Sequence, residues 1–185
     1  MKRLLDLLLA TLSIAIFLIP LIVIYFLIKI NTKGDAVYWS DRVGKDNKIF
    51  KMPKFRTMLI DTPELATDKL EDPYQWLTPI GNFLRKSSLD ELPQIFCVFV
   101  GKMSFVGPRP ALYNQYELIE MRTKRGIHRL LPGITGLAQV LGYDMSNPEL
   151  LSKIDNLYIQ NRSISLDIEI FFATFIRPIR AKINK

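Results

Sequence analysis

Leu7 to Ile28 reads LLLATLSIAIFLIPLIVIYFLI, a 22-residue run in which only Thr11, Ser13 and Pro20 interrupt the apolar side chains. At about 1.5 Å per residue, a continuous helix over it is roughly 33 Å long, enough to span a bilayer core. Membrane association is the expectation. A cleaved signal peptide fits poorly, because the run exceeds an h-region and Tyr25-Phe26-Leu27-Ile28-Lys29 stands where small residues would mark a cleavage site. Lys2 and Arg3 precede the run and Lys29 and Lys33 follow it, so the distribution of cations gives little asymmetry between its ends. Pro20 removes one backbone hydrogen bond and crowds the preceding turn, which favours a bend. Two readings satisfy these features: a kinked helix that crosses, and a re-entrant helix that returns to the side it entered.

Beyond the run the chain is ordinary in size, with 185 residues and 49% hydrophobic composition, long enough to bury a core. Lys and Arg number 25 against 18 Asp and Glu, for a net charge of +7. That excess points to an anionic partner: phosphorylated small molecules, nucleic acid or an anionic bilayer surface. Cys97 is the single cysteine, set among apolar residues, which excludes an intrachain disulfide and reads as buried filler. His128 is the single histidine, which argues against a histidine-rich metal centre or a serine–histidine triad.

Ala36 to Trp39 and Ile49 to Met58 read as a hairpin around Arg42-Val43-Gly44-Lys45-Asp46-Asn47, with Lys54 and Arg56 on one strand face as a candidate phosphate clamp. Asp61 to Tyr74 reads as a polar surface loop with room for one helical turn. In Arg85-Lys86-Ser87-Ser88-Leu89-Asp90-Glu91-Leu92-Pro93-Gln94, Pro93 is comfortable only in a first helical turn, so a helix begins near Leu89 or Asp90. Two adjacent carboxylates then stand at a helix N-terminus amid cations, suited to holding a divalent metal or attacking phosphorus. The competing reading is a cap, with Ser88 at the N-terminus and Glu91 reaching back; it accounts for Glu91 and leaves Asp90 unexplained.

Pro108-Arg109-Pro110 mounts a guanidinium on stiff backbone, a suitable fork for phosphate or a base edge. Arg122, Lys124, Arg125 and Arg129 place four cations in eight residues, read either as a basic amphipathic helix on anionic lipid or as a solvated face. Gly133 and Gly136 permit a tight turn and close backbone approach. Leu166 to Ile176 is apolar, too short to span, and is followed by Arg177, Arg180, Lys182 and Lys185, as in an interfacial or core helix with a basic exit.

Lys54-Phe55-Arg56-Thr57-Met58, Leu89-Asp90-Glu91-Leu92-Pro93-Gln94, Met103-Ser104-Phe105-Val106-Gly107-Pro108-Arg109-Pro110 and Pro132-Gly133-Ile134-Thr135-Gly136-Leu137-Ala138-Gln139-Val140 follow a basic-flanked apolar segment in this order. Together they resemble the bacterial sugar transferases, the monotopic phosphoglycosyl transferases, over nearly the whole chain and in a minimal catalytic form. The resemblance implies an α+β, mostly helical fold with a membrane-embedded re-entrant N-terminal helix (residues 1–30) bent at Pro20, a cytoplasmic catalytic domain (31–185) continuous with it, interfacial amphipathic helices and a small β-hairpin. It implies an enzyme of the bacterial inner membrane that moves a phosphosugar from a UDP-sugar, an N-acetylated one at family level, to polyprenol phosphate such as undecaprenyl phosphate, releasing UMP. Asp90 is then the nucleophile and a Mg²⁺ ligand, and Glu91 its partner acid. By the same matching Lys54, Arg56 and Arg85 are candidates for phosphate contacts, Pro108, Arg109 and Pro110 for the nucleotide end, and Gly133, Gly136 and Gln139 for the wall of the site.

This chain departs from the family pattern at Ile19, where a serine often precedes the proline, at Ser40, where glutamine is usual, and at Tyr143, where an arginine is common. None touches the acid pair, so activity is expected with an altered sugar preference. The partners implied are UDP-sugar, polyprenol phosphate and the bilayer, and a homo-oligomer is compatible with them. Nucleic acid is not expected, since no zinc, helix-turn-helix or RNA-binding pattern appears. The alternative from another class is a non-catalytic membrane adaptor that binds anionic lipid through its cations.

Overall fold

A computed structural model describes residues 1–63 and 72–176. Its first element, α1 (Lys2–Asn31), carries the apolar run and continues helical through Pro20. Asp6, Ala10, Ile14, Phe17, Leu21, Ile24 and Ile28 recur every three or four residues and make one stripe against the rest of the chain. Ala10, with no exposed surface, lets the helix backbone approach closely. The other faces are unpacked: Leu4, Leu8, Leu12, Ile16, Ile19, Ile22 and Phe26 are all exposed. A contiguous apolar surface of this extent is the mark of a helix whose solvent is lipid, and the chain is membrane-associated through it.

β1 (Val37–Val43) and β2 (Ile49–Phe55) pair antiparallel, Val37 opposite Phe55 and Val43 opposite Ile49. Asp46 and Asn47 take left-handed backbone in the connecting turn, a conformation short polar side chains tolerate. The hairpin differs from the sequence expectation at its ends: β1 runs on to Val43, and β2 stops at Phe55. Asp72 caps a 3-10 turn over Pro73–Trp76, at the end of the expected loop; residues 64–71 lie outside the described residues, and the loop expectation falls largely on them. The short helix α2 (Gly81–Lys86) follows. A 3-10 turn over Leu89–Gln94 then runs directly into α3 (Ile95–Phe99), so the helical start demanded by Pro93 is where the chain placed it, in tighter geometry.

β3 (Ser104–Val106) lies parallel to β4 (Gly133–Thr135), with α4 (Tyr116–Lys124) between them in sequence and α5 (Leu137–Leu141) after β4. α6 (Pro148–Gln160) begins with Asn147 accepting from the Leu150 amide and proline at its first position; α7 (Ile164–Phe175) begins with Ser163 accepting from the Leu166 amide. α7 packs Ile170 and Ala173 inward and exposes Ile168, Phe172 and Phe175. The cations expected to follow α7 lie outside the described residues.

One apolar cluster joins Ala10, Met52, Val98, Met103, Phe105 and Ile170; a second joins Leu21, Ile24, Ile28, Phe55 and Leu84. Leu89 and Leu92, which flank the acid pair, pack on the second. The carboxylates therefore ride on a turn pinned from below by α1.

The four clustered cations do not form one basic helix. Gly126, at φ +74, breaks the chain after α4. Arg122 is buried against Asp155, Arg125 donates to Ser152 and Lys124 pairs with Glu120. A charge run shows nothing of the partners that tertiary folding supplies, and here it supplied two, Asp155 and Ser152, while Lys124 pairs locally at i,i+4.

Candidate active site

Lys54, next to last in β2, extends from the strand to Glu91, with Nζ to Oε1 at 2.6 Å. The Arg109 guanidinium donates to the same oxygen at 3.1 Å. Ser88, which the capping reading makes the N-cap, has left-handed backbone and no side-chain capping bond. Glu91 does not reach back to it. Glu91 is a clamp: burial alone would raise its carboxyl, but Lys54 and Arg109 outweigh that and hold it at about 2.

Asp90 has the opposite environment. It is 8% exposed, yet no side chain among the described residues hydrogen-bonds its carboxylate. Burial raises its carboxyl above the ordinary range, with Glu91 adding to the rise and Lys54 and Arg85 opposing it. A carboxylate whose lone pairs are uncommitted, flanked by cations that would meet an incoming phosphate, is placed to attack or to coordinate; one already shared by two cations is not. The adjacent acids thus stand in opposite environments.

Arg85, on α2, is steadied by Thr57, its Nε to Oγ1 at 2.9 Å, and faces Asp90 electrostatically. Arg56 does not join the group. β2 ends one residue earlier, the strand alternation ends with it, and the Arg56 guanidinium donates instead to the Asp35 carbonyl at 2.6 Å.

The Pro108-Arg109-Pro110 mount is fixed by three hydrogen bonds to its carbonyls. Gly133 N–H donates to Pro108, Arg122 to Arg109 at 2.8 Å, and Arg42 to Pro110 at 3.2 Å. Arg42 and Arg122 were not singled out from sequence as parts of the site. Arg42 lies close enough to Arg109 and Glu91 to feel both; burial first, then Arg109, lowers it to about 10, so it stays charged at neutral pH. Its signal in the sequence was the Arg-x-Gly turn it opens. Ser40, the departure noted above, accepts from its Nε at 3.0 Å. Arg122 is itself held by two bonds to Asp155.

Gly133 and Gly136 act one step back from the site. A Cβ on Gly133 would stand 2.2 Å from the Gly107 nitrogen, and one on Gly136 2.2 Å from the Gly107 oxygen. The two glycines, both buried, let β4 close on the strand that presents Arg109. Gln139 closes the same turn, donating to the Ile134 carbonyl at 3.0 Å, and its buried Oε1 has no partner among the described residues.

No group of three or more acid, histidine or cysteine side chains gathers among the described residues. One uncommitted carboxylate still fits Mg²⁺, which keeps several waters and is commonly held by one or two carboxylates together with substrate phosphates.

The family model described as bacterial sugar transferase matches residues 1–181. The chain is 37% identical over 187 residues to the Escherichia coli UDP-glucose:undecaprenyl-phosphate glucose-1-phosphate transferase, covering 96% of this chain and 40% of the relative. It is 36% identical over 184 residues to the Aeromonas hydrophila UDP-N-acetylgalactosamine-undecaprenyl-phosphate N-acetylgalactosaminephosphotransferase, covering 96% and 43%. The exopolysaccharide production protein ExoY of Rhizobium meliloti is 34% identical over 189 residues, covering 94% and 83%. The chain spans about two-fifths of the length of the first two and most of the third.

Proposed function

The chain belongs to the bacterial sugar transferases, and from that membership we propose that it transfers a phosphosugar from a UDP-sugar to polyprenol phosphate, releasing UMP. The observation that carries the proposal is the division of labour in the acid pair, with Asp90 uncommitted between Lys54 and Arg85 and Glu91 bound to Lys54 and Arg109. In the proposed first step an Asp90 carboxylate oxygen bonds to the sugar-bearing phosphorus, and the phosphoanhydride bond breaks with its electron pair leaving on UMP. In the second, a phosphate oxygen of the lipid attacks the same phosphorus, and Asp90 departs as a free carboxylate. Splitting the transfer lets one small site serve a soluble and a membrane-bound substrate in turn.

Lys54, Arg85 and Arg109 neutralise the phosphate oxygens, and Glu91 fixes two of those cations so that little reorganisation is needed during reaction. Asp90 is the residue that would hold Mg²⁺, which when bound would supply further neutralisation of the diphosphate. Relatives of nearly equal identity are named for different sugars, so the donor is best found across a panel; an N-acetylated UDP-sugar is the one we propose.

The membrane arrangement we propose is re-entrant, with the domain on the cytoplasmic face of the inner membrane and undecaprenyl phosphate as the lipid. Support comes from the two ends of α1. At one end Arg3 donates to the carbonyls of Val98 and Phe99, and Asp6 accepts from Ser104 and the Phe105 amide. At the other, Ile28 is buried against the second cluster and the chain passes directly into β1. Contacts from one domain to both ends of the helix support a path that returns to the side it left.

The test is UMP release by purified protein with Mg²⁺, undecaprenyl phosphate and the UDP-sugar panel. Asp90→Asn is expected to lower it by at least about 10³-fold, and intact mass should show a phosphosugar adduct on the wild-type chain with donor alone. Turnover retained in Asp90→Asn would refute the nucleophile. Loss of turnover without any adduct would favour direct attack by the lipid phosphate, and no UMP from any donor would favour the adaptor reading.

A further inference from the structure

A second cationic site lies away from the acid pair. Lys45 from the hairpin turn, Arg129 from the 3-10 turn over Ile127–Arg129, and Arg162 from the α6–α7 connection converge on a cavity of about 190 Å³, whose wall also includes Lys2, Arg3 and Asp6. Lys2 to Asp6 stand at the start of α1, whereas the acid-bearing turn packs on α1 from Leu21 to Ile28. Along the helix, residues 6 and 24 are about 27 Å apart.

The charges in this wall are of two kinds. Arg3 is consumed by two backbone carbonyls, Lys2 pairs with Asp167 at 2.6 Å, and Asp6 is held by Ser104 and the Phe105 amide. These groups build the cavity. Tyr158 also gives its hydroxyl to Asp167. Lys45, Arg129 and Arg162 differ: among the described residues none of them makes a side-chain hydrogen bond or an ion pair. Three exposed cations from three separate segments face one concavity with no acidic partner of their own among the described residues, an arrangement suited to taking one anion among them.

The surroundings indicate which anion. The Lys2–Asp167 pair ties the start of α1 to α7. From that rim α1 exposes Leu4 and Leu8, and α7 exposes Ile168, Phe172 and Phe175. A basic concavity at the polar edge of two apolar helix faces has the layout of a lipid headgroup site, with the phosphate in the cavity and the acyl chains along the helices.

We propose that Lys45, Arg129 and Arg162 bind a phosphate ester, that of an anionic phospholipid headgroup, at a site separate from the one containing Asp90. The site would seat the domain on anionic membrane independently of sugar transfer. It owes nothing to the transferase reading and can fail without it.

The full chain, purified in detergent, is titrated with phosphatidylglycerol or phosphatidylcholine, and retained lipid is counted by native mass measurement; inorganic phosphate is a third arm, read by thermal melting. The wild type is expected to retain phosphatidylglycerol over phosphatidylcholine, and Lys45→Gln/Arg129→Gln/Arg162→Gln to lose that preference by on the order of 100-fold at about fivefold per cation. Arg129→Lys/Arg162→Lys should keep most of it, and a control lacking Lys51, Lys124 and Lys153 should resemble wild type. Stabilisation by phosphate alone, absent in the triple variant, would support the same anion chemistry from a soluble ester. Equal retention of the two lipids by wild type with no effect of phosphate, or an unchanged triple variant, overturns the proposal. UMP release in phosphatidylcholine should be unaltered by the triple substitution, which separates this outcome from any failure of the transferase reading.

Discussion

Glu91→Gln isolates the clamp. Its carboxyl is 20% exposed and shares one oxygen between Lys54 and Arg109. Held at about 2 against an ordinary 4.5, it contributes about 3 kcal/mol to stability at neutral pH. The folded value is the depressed one, so the contribution is complete above about 4.5 and is lost as pH falls toward 2. The substitution removes it at all pH values and leaves Lys54, Arg109 and nearby Arg42 without their shared counter-charge. For a domain of this size that is a fall in Tm of about 6–12 °C. Thermal melting in detergent at pH 7 should show this gap, and the gap should narrow as both proteins are taken from pH 4.5 toward 3. Asp90 also loses a neighbouring negative charge, so its raised carboxyl should relax downward and the acid limb of UMP release should move to lower pH. Equal Tm values at pH 7 would refute the clamp, and a gap that held constant with pH would assign the loss to packing instead of charge.

Asp155→Asn strips the buried Arg122 of its counter-ion and should destabilise by about 3–5 kcal/mol in thermal melts; Arg122→Met/Asp155→Leu should recover most of that stability while UMP release stays impaired, because the Arg109 carbonyl has lost its donor. Gly136→Ala should cost more than Gly126→Ala. The first drives a Cβ to 2.2 Å from backbone, whereas the second meets nothing within 4 Å and pays only the roughly 1 kcal/mol of a left-handed φ; comparable melting shifts would contradict the close packing of β4 on Gly107. Lys2→Cys and Lys33→Cys, each in a Cys97→Ser background, should react with an impermeant thiol reagent only from the cytoplasmic side. Labelling from opposite sides would show that α1 crosses.

Asp90, Glu91, Lys54 and Arg109 could be found in the sequence because each sits where backbone rules restrict the chain: a proline that must open a helix, a strand with a fixed alternation, an arginine between two prolines. Where a rule ended, so did the inference. Strand alternation gave Lys54 its direction and said nothing valid of Arg56, one residue past the end of β2. Spacing alone left Glu91 between a cap and a catalytic acid and did not show the clamp, since the left-handed Ser88 that excludes the cap and the Lys54 that forms the clamp, 37 residues away, are products of tertiary folding. Arg122 shows the same limit, because its partner Asp155 lies 33 residues further on.

α1 presents this problem in its purest form. In a run where nearly every position is apolar, the period of 3.6 vanishes, and nothing distinguishes a domain-facing leucine from a lipid-facing one. The two positions that do carry the phase are the ones least suited to lipid contact. Asp6, just outside the run, accepts the Phe105 amide of β3, a donor that the pairing with β4 does not use, and so locks one register of helix against sheet. Ala10, one turn on, is the small residue that permits the approach. From Asp6 the stripe follows at helical spacing to Ile28 and passes Pro20 without changing face. A charge that would be costly in hydrocarbon is thus the reference from which the membrane face of the helix can be assigned, and Asp6→Leu should loosen the helix from its domain while making the segment more apolar.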